Sequence, residues 1–567
     1  MKKNFNELKT DFYNEIDHNY YPRPQLKRDN FLLLNGEWDF AEKDYDIKGN
    51  YDEKIIVPFC MESSLSKINR SHSKNKTMFY RKRFNLVLDE NNPIVLLHFG
   101  AVDCSTSVIV NGEFIIKNNG GYLPFEVDIT KYVKDGENIL ELEVRDELSS
   151  LYPYGKQKYR RGGMWYTTVS GIWQSVWLEQ VPENYIKSIK IDTTLDTLKV
   201  NIKGGEEEKT LIFENKEYVF SGKSFQLKIE NPKLWSPESP YLYTFYLKSG
   251  NDKIESYFGL RTIEILNDSK GIERLFLNGK KYFFSGLLDQ GYFPDGIYTP
   301  ASIKGFEFDI TNIKNLGFNM IRKHIKIEPE IYYYLCDKLG ICVFQDMVNN
   351  GKYSFMRDTV YPTFIKKSKN DKSLHKNKLS REIFKIYMKN TVKHLYNHPS
   401  IVYYTIFNEG WGQFCSDEMY NILKNEDETR IIDSTSGWFK NKESDVESEH
   451  IYFKPVKLSP SSKPIILSEF GGYSYKILEH SFNTKKTYGY KFFDNQKDYM
   501  DALEKLYIDE VLPCIDIGLS ASIYTQTSDV EDETNGIFTY DRKIIKVDAE
   551  RMKSINKKLY DTINKIK

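Results

Sequence analysis

Two apolar runs in the chain stop at a glutamate. IVYYTIF (401–407) ends in Asn408-Glu409, and PIILS (464–468) ends in Glu469-Phe470-Gly471-Gly472. A facing pair of carboxylates is what cleavage of a glycosidic bond needs: one protonates the departing oxygen while the other attacks the anomeric carbon. Either glutamate alone reads as a solvated or helix-capping residue. Both at matched strand ends are hard to explain as capping. The cysteines (Cys60, Cys104, Cys336, Cys342, Cys415, Cys514) form no CxxC pair and the histidines do not cluster. No metal site, disulfide framework or cofactor is therefore expected.

Stepping outward from the pair, the chain alternates helical and apolar-strand patterns. Phe306, Ile310, Ile313 and Leu316 lie at helical spacing, Gly317 stops them, and FNMIR follows. Ile327, Ile331, Leu335 and Leu339 repeat the pattern up to Gly340, before ICVFQD. Phe384, Met388, Thr391 and Leu395 do so again before Pro399 and IVYYTIF. Helix, glycine, apolar strand is the signature of a parallel sheet with crossover helices. The candidate strands are 283–288, 318–322, 341–345, 401–407, 430–435, 450–453, 464–468 and 520–525, enough to close a (β/α)8 TIM barrel. The fifth and sixth are joined by a short helix or none. In such a barrel the active site lies at the C-terminal strand ends. The Lys-rich stretch 366–378 reads as a solvated loop.

The residues ahead of the barrel read as β throughout. PIVLLHFG, STSVIVNGEFII with its Asn111-Gly112 turn, and NILELEVRD belong to the first part. LKVNIKG, EYVFSG and LYTFYLKSG belong to a smaller strand-rich part after Pro182. The expected domains are a β-sandwich over 1–182, a second small sandwich over 183–264, and the barrel over 265–567. A length of 567 residues suits several domains. Lys plus Arg and Asp plus Glu both total 80, so the basic excess that nucleic-acid binding needs is missing. The 15% aromatic content suits stacking on sugars, though a large β-rich core would absorb it equally well. The N-terminus lacks the apolar stretch of a signal peptide, and no run reaches the ~18 apolar residues of a membrane span. A cytoplasmic protein is expected.

The sequence also resembles a known family, glycoside hydrolase family 2. The resemblance runs through FLLLNGEWDF (31–40), VPFCMESSLS (57–66), FYRKRF (79–84), VSGIWQSVWLE (169–179), LWSPESPYLY (234–243), FGLRTIEI (258–265) and FLNGKKYFFSG (276–286). It is most specific in IFNEGWGQF (406–414) and ILSEFGG (466–472). It implies a jelly-roll β-sandwich, an immunoglobulin-like β-sandwich and a catalytic TIM barrel. It also implies that Glu409 is the acid/base and Glu469 the nucleophile. By the same resemblance Asn408 bonds the sugar 2-hydroxyl and Tyr452, beside His450, is the hydroxyl partner of the nucleophile. Arg322 and His324 fall where the family places an Arg and, three residues on, a His; here the His comes after two. Asp289, Asp346, Trp438 and Gln526 also sit at strand ends, as sugar contacts or as wall residues.

Two departures bear on the sugar. Where the family's galactosidases and glucuronidases carry an Asp before Ser-Gly-Ile, this chain has Gly162-Gly163-Met164-Trp165-Tyr166-Thr167-Thr168-Val169. Where glucuronidases carry Asn-x-Lys, it has Glu533-Thr534-Asn535, and a glutamate there repels a uronic acid. The resemblance therefore implies a retaining exo-β-glycosidase, nominally a β-galactosidase. The alternatives are a β-glucuronidase, a β-mannosidase-type enzyme, or a sugar-binding protein without catalysis. A carbohydrate is the expected partner, with no nucleic acid or membrane; assembly into a homo-oligomer stays open.

Overall fold

The computed structural model describes residues 5–44, 51–360 and 371–566. Its first part stacks two antiparallel sheets. The six-stranded one runs, in spatial order, Glu53–Val57, Gly36–Asp44, Lys76–Leu86, Gly136–Arg145, Ser105–Val110, Glu113–Asn119. The four-stranded one runs Phe31–Leu33, Val176–Val181, Ile94–Phe99, Phe125–Asp128. Alternation buries one face of each: Trp38, Tyr80, Leu97 and Leu142 meet in a single core. Asn111 and Gly112 both take positive φ (50° and 87°) between Val110 and its partner Glu113, the two-residue hairpin their types predict.

The second sandwich packs Ile186–Thr193, Thr197–Gly204 and Ser224–Lys228 against Lys216–Ser221, Glu208–Phe213, Tyr243–Ser249 and Asp252–Phe258. Arg28 ties the two sandwiches together. Its buried guanidinium donates to Glu179 at 2.9 Å and to Asp252 at 2.8 Å.

The third part is the expected barrel. Its eight parallel strands are β1 (Phe284–Asp289), β2 (Met320–Lys323), β3 (Cys342–Asp346), β4 (Ile401–Asn408), β5 (Ile431–Ser436), β6 (Glu447–Ile451), β7 (Ile465–Gly471) and β8 (Leu519–Thr525). Helices α1 (Ile303–Asn315), α2 (Glu330–Leu339) and α3 (Lys378–Leu395) cross between them, as the spacing predicts. Gly317 (φ 87°) and Gly340 (φ 75°) end the first two in the left-handed conformation that glycine adopts without strain. A hairpin at Ile263–Asn267 and Glu273–Leu277 closes the N-terminal end of the barrel. Its Ile263 and Leu275 share one core with the inward-facing Phe284, Met320, Phe344, Ile466 and Ile523. The C-terminal end is thereby left as the open one.

Two details differ from the sequence reading. The sixth strand starts three residues and ends two residues earlier than expected, because Ser448 and His450 alternate inward while Glu447 and Glu449 turn out toward Lys440. Tyr452 and Phe453 thus leave the strand. In the Lys-rich stretch, 366–370 lie outside the described residues, and 371–378 are more than a solvated loop. Asp371 is buried and accepts from the Gln413 side chain at 3.0 Å and from the Ser416 backbone N–H at 2.9 Å. It therefore anchors the loop that follows Glu409.

Candidate active site

Local backbone irregularity aims the two glutamates. Between Leu467 and Phe470, β7 carries one residue more than β6 or β8: Glu449 pairs with Leu467, but His450 pairs with Glu469. Such a bulge re-aims the following side chain, and Glu469 turns into the barrel mouth. Glu409 sits just past β4 with φ 52°, a conformation costly for a residue with a Cβ, and its N–H is held by the Ser436 carbonyl at 2.9 Å. The result is a tight cluster. Carboxylate oxygens of Glu409 and Glu469 and a ring nitrogen of His450 all lie within 4.8 Å of one another.

Each carboxylate has its own partners. His450 Nδ1 is 2.8 Å from Glu409 Oε1 and 3.7 Å from Glu469 Oε2. Its Nε2 meets Ser436 Oγ at 3.0 Å. Arg322, fully buried, binds Asp346 Oδ1 (2.9 Å), the Ser468 carbonyl (2.9 Å), Glu469 Oε1 (3.2 Å) and Asn408 Oδ1 (2.9 Å). One guanidinium thus links β2, β3, β4 and β7. Since Asn408 accepts through Oδ1, its amide N–H groups remain to donate. Tyr452 donates its hydroxyl to Glu469 Oε2 and lies 3.0 Å from Thr525 Oγ1. Burial, reinforced by Glu469, pushes that phenol pKa well up and keeps it a donor.

Burial alone would push the Glu469 carboxyl up as well. His450, followed by Arg322, His324 and Lys156, outweighs it and holds the group down at about 2. Burial, then the charge of Lys156, lowers the His324 pKa against the pull of Asp346. His324 Nδ1 lies 2.7 Å from Asp346 Oδ2, and its buried Nε2 is without a partner among the described residues. A sugar hydroxyl would supply that partner.

The remaining strand-end candidates divide. Asp346 belongs to the cluster through Arg322 and His324. The Trp438 ring meets the His450 ring edge-on at 5.5 Å, and its N–H is spent on the Asp358 carbonyl at 3.1 Å. Gln526 donates to Glu533 and Asn535, both at 2.8 Å, and its buried Oε1 is unpartnered among the described residues. Asp289 does not join them. It follows the inward-facing Leu288, so alternation turns it outward, where it binds Lys323 Nζ at 2.6 Å.

Sequence reasoning did not single out the residues that the first domain contributes. Its segment 150–167 lies along the barrel mouth. The Tyr154 hydroxyl donates to the Gly351 carbonyl at 2.9 Å, and Thr167 N–H donates to Glu531 at 2.9 Å. Tyr166 donates to Glu533 Oε2 at 2.5 Å. Trp165 meets Trp411 and Tyr353 edge-on at 5.3 and 4.9 Å. Within this segment Gly155 passes so near β2 that a Cβ would lie 3.2 Å from the Ile325 carbonyl. The charge of the neighbouring half-buried Lys156 is felt by His324, Glu469 and Glu533. The only signal in the sequence was the run of Gly and aromatic residues at 162–166.

Comparison with known proteins agrees with this architecture. Among curated proteins, the match to a β-galactosidase of Thermoanaerobacter pseudethanolicus is 27% identical over 56% of this chain and 46% of that protein. A putative β-glucuronidase of Formosa agariphila is 25% identical over 66% of this chain and 46% of its own length. The chain thus spans about half the length of these curated relatives. The solved structure of a β-D-glucuronidase from Dictyoglomus thermophilum superposes with a TM-score of 0.75 at 21% identity, covering 95% of this chain and 98% of that one. A β-galacturonidase from Eisenbergiella tayi gives 0.67 at 22%, with the same coverage. These two likenesses show the fold. Family models for the sugar binding domain, the middle domain and the TIM barrel domain match residues 42–182, 178–261 and 270–559 in turn. With all three domains in order and the barrel matched over more than half of its chain, the protein belongs to glycosyl hydrolases family 2.

Proposed function

We propose that the chain is a retaining exo-β-glycosidase with Glu409 as general acid/base and Glu469 as nucleophile. The observation that carries this reading is the closeness of the pair, one carboxylate oxygen of each lying within 4.8 Å of the other. Retention requires carboxyl groups ~5–5.5 Å apart, whereas inversion leaves ~6.5–9.5 Å for an intervening water. The division of roles follows from environment. Glu469, held at about 2, stays ionised and able to attack. Glu409, in contact with His450 and 22% exposed, has access to solvent for exchanging a proton.

In the first step Glu469 forms a bond to the anomeric carbon, the bond to the aglycone oxygen breaks, and Glu409 gives that oxygen its proton. In the second, the Glu409 carboxylate takes a proton from water, the water oxygen bonds to the anomeric carbon, and Glu469 leaves. Two inversions give net retention. Asn408, its Oδ1 occupied by Arg322, donates to the sugar 2-hydroxyl, a contact that tightens at the transition state. The first-domain segment across the mouth favours cleavage from a chain end.

For the sugar we propose a neutral β-hexoside, nominally a β-galactoside, because Glu533 stands where a uronic acid needs a cation. A β-uronide is the second reading, favoured by the placement of Lys156. Assaying nitrophenyl β-galactoside, β-glucoside, β-mannoside, β-glucuronide and β-galacturonide side by side decides between them. The β-galactoside should be cleaved best; turnover of uronides alone would reverse the assignment. No turnover of any glycoside would favour a sugar-binding protein.

A further inference from the structure

Beyond the sugar itself, we infer that Tyr490 and Phe453 form a platform that binds a planar, apolar aglycone of the substrate; this rests on the glycosidase reading above. The platform starts at the nucleophile. Tyr452, whose hydroxyl holds Glu469, lies face to face with Tyr490, ring centroids 4.0 Å apart and 11° from parallel. Phe453 then stands edge-on to Tyr490 at 5.0 Å, and 82% of it is exposed. The backbone is shaped for the stack. Gly472, three residues after the nucleophile, has φ 65°, and a Cβ there would lie 2.3 Å from Tyr490 Cδ2 and 3.4 Å from Tyr452 Cδ1. The Gly472 carbonyl accepts from the Tyr490 N–H at 3.0 Å, which fixes the ring in place.

Phe453 lies outside the buried cores, and an aromatic ring in water gains nothing until a ligand covers it. Tyr490 stacks on the hydroxyl partner of Glu469 and feels the charge of Glu409 ahead of that of Glu469, so the platform borders the Glu409 face from which the aglycone leaves, and Phe453 extends it outward. Trp165 and Tyr353 rise on the Glu409 side of the same mouth. Aromatic rings also stack on sugars, but Phe453 offers no polar atom for sugar hydroxyls, which sets an aromatic or polycyclic leaving group ahead of a second sugar.

The test compares Phe453→Ala with the unaltered chain on a 2-naphthyl and a methyl β-glycoside of the same sugar. A methyl group is too small to reach the platform, and each substrate is its own reference across the substitution. kcat/KM should fall about tenfold on the naphthyl glycoside, the factor that corresponds to one lost ring contact, and stay nearly constant on the methyl glycoside. Phe453→Tyr should keep most of the naphthyl activity, and the melting temperature should not change because the side chain is exposed. Equal losses on both substrates, or no loss on either, would overturn the platform. So would a larger loss on a β-linked disaccharide than on the naphthyl glycoside, which would make the occupant a sugar. If the unaltered chain cleaved none of the three, the glycosidase reading itself would fall, a different outcome from any of these.

Discussion

Replacing His450 by asparagine should move the acidic limb of the pH–rate profile. An asparagine amide can still donate to Glu409 Oε1, which His450 Nδ1 meets at 2.8 Å, but it brings no charge to Glu469 Oε2, 3.7 Å from that nitrogen. Two unit charges at that distance interact by roughly 4.5 kcal/mol at an effective dielectric constant of about 20, the equivalent of about three pKa units. The net displacement of Glu469, from an ordinary 4.5 to about 2, is worth about 3 kcal/mol, so His450 is large enough to account for it. Without it, burial competes only with Arg322, His324 and Lys156, and the carboxyl should return to its ordinary range or above. On the proposed assignment Glu469 attacks as the anion, so kcat/KM should fall as the pH drops through its pKa. The unaltered protein should show no acidic limb down to about pH 4, while His450→Asn should show one between about pH 4 and 6. A dinitrophenyl glycoside is the substrate of choice, since its leaving group barely needs the proton of Glu409. An unmoved limb, with activity merely lower at every pH, would refute the electrostatic account.

Three further predictions follow from single contacts. Gly472→Ala places a methyl group 2.3 Å from Tyr490 Cδ2 in a left-handed backbone; it should cost about 1–3 kcal/mol in stability and lower kcat/KM more than tenfold, and normal activity would contradict the role given to the ring stack. Lys156→Met should cut any activity on uronides about 10–100-fold, the value of one charge-assisted hydrogen bond, with little effect on neutral sugars; the same loss on both classes would remove Lys156 from sugar selection. Glu62, in the first domain, is pushed up to about 7 by burial, against an ordinary 4.5. A group held above its unfolded value contributes stability that is complete below that value and is lost as the pH rises through the folded one. Glu62→Gln should therefore gain on the unaltered protein by roughly 3 kcal/mol between pH 4 and 8, read from thermal midpoints, and a constant difference would refute the assignment.

The barrel was legible because its strands are apolar on both faces and its helices carry an amphipathic period. Those signals depend on burial, which composition records directly. β6 was misplaced for the complementary reason: Glu447-Ser448-Glu449-His450 is a polar alternating strand, and the apolar HIYF beside it drew its start three residues too far. Both glutamates were found as strand-end residues, but what aims them, the bulge at Ser468 and the positive φ of Glu409, has no signature in residue type. Asp289 shows the limit of strand-end reasoning, since a shift of one residue decides between the mouth and the helical layer. Lys156, Trp165, Tyr166 and Tyr490 were beyond reach. The first three enter the mouth from another domain by packing between segments more than 150 residues apart, as with Tyr166 and Glu533, while Tyr490 comes from a long loop and is placed by its stack on Tyr452.

The central claim, that Glu409 and Glu469 divide the acid/base and nucleophile roles, is tested most directly by rescuing their alanine variants with azide and determining the configuration of the product. Glu409→Ala should still be glycosylated by a dinitrophenyl glycoside, accumulate the intermediate, and release it as the β-glycosyl azide, because azide needs no base. Glu469→Ala forms no intermediate, so azide must attack the substrate directly and give the α-glycosyl azide. If the α product came from Glu409→Ala and the β product from Glu469→Ala, the two assignments would have to be exchanged; if azide rescued neither variant, the two-carboxylate mechanism would be contradicted.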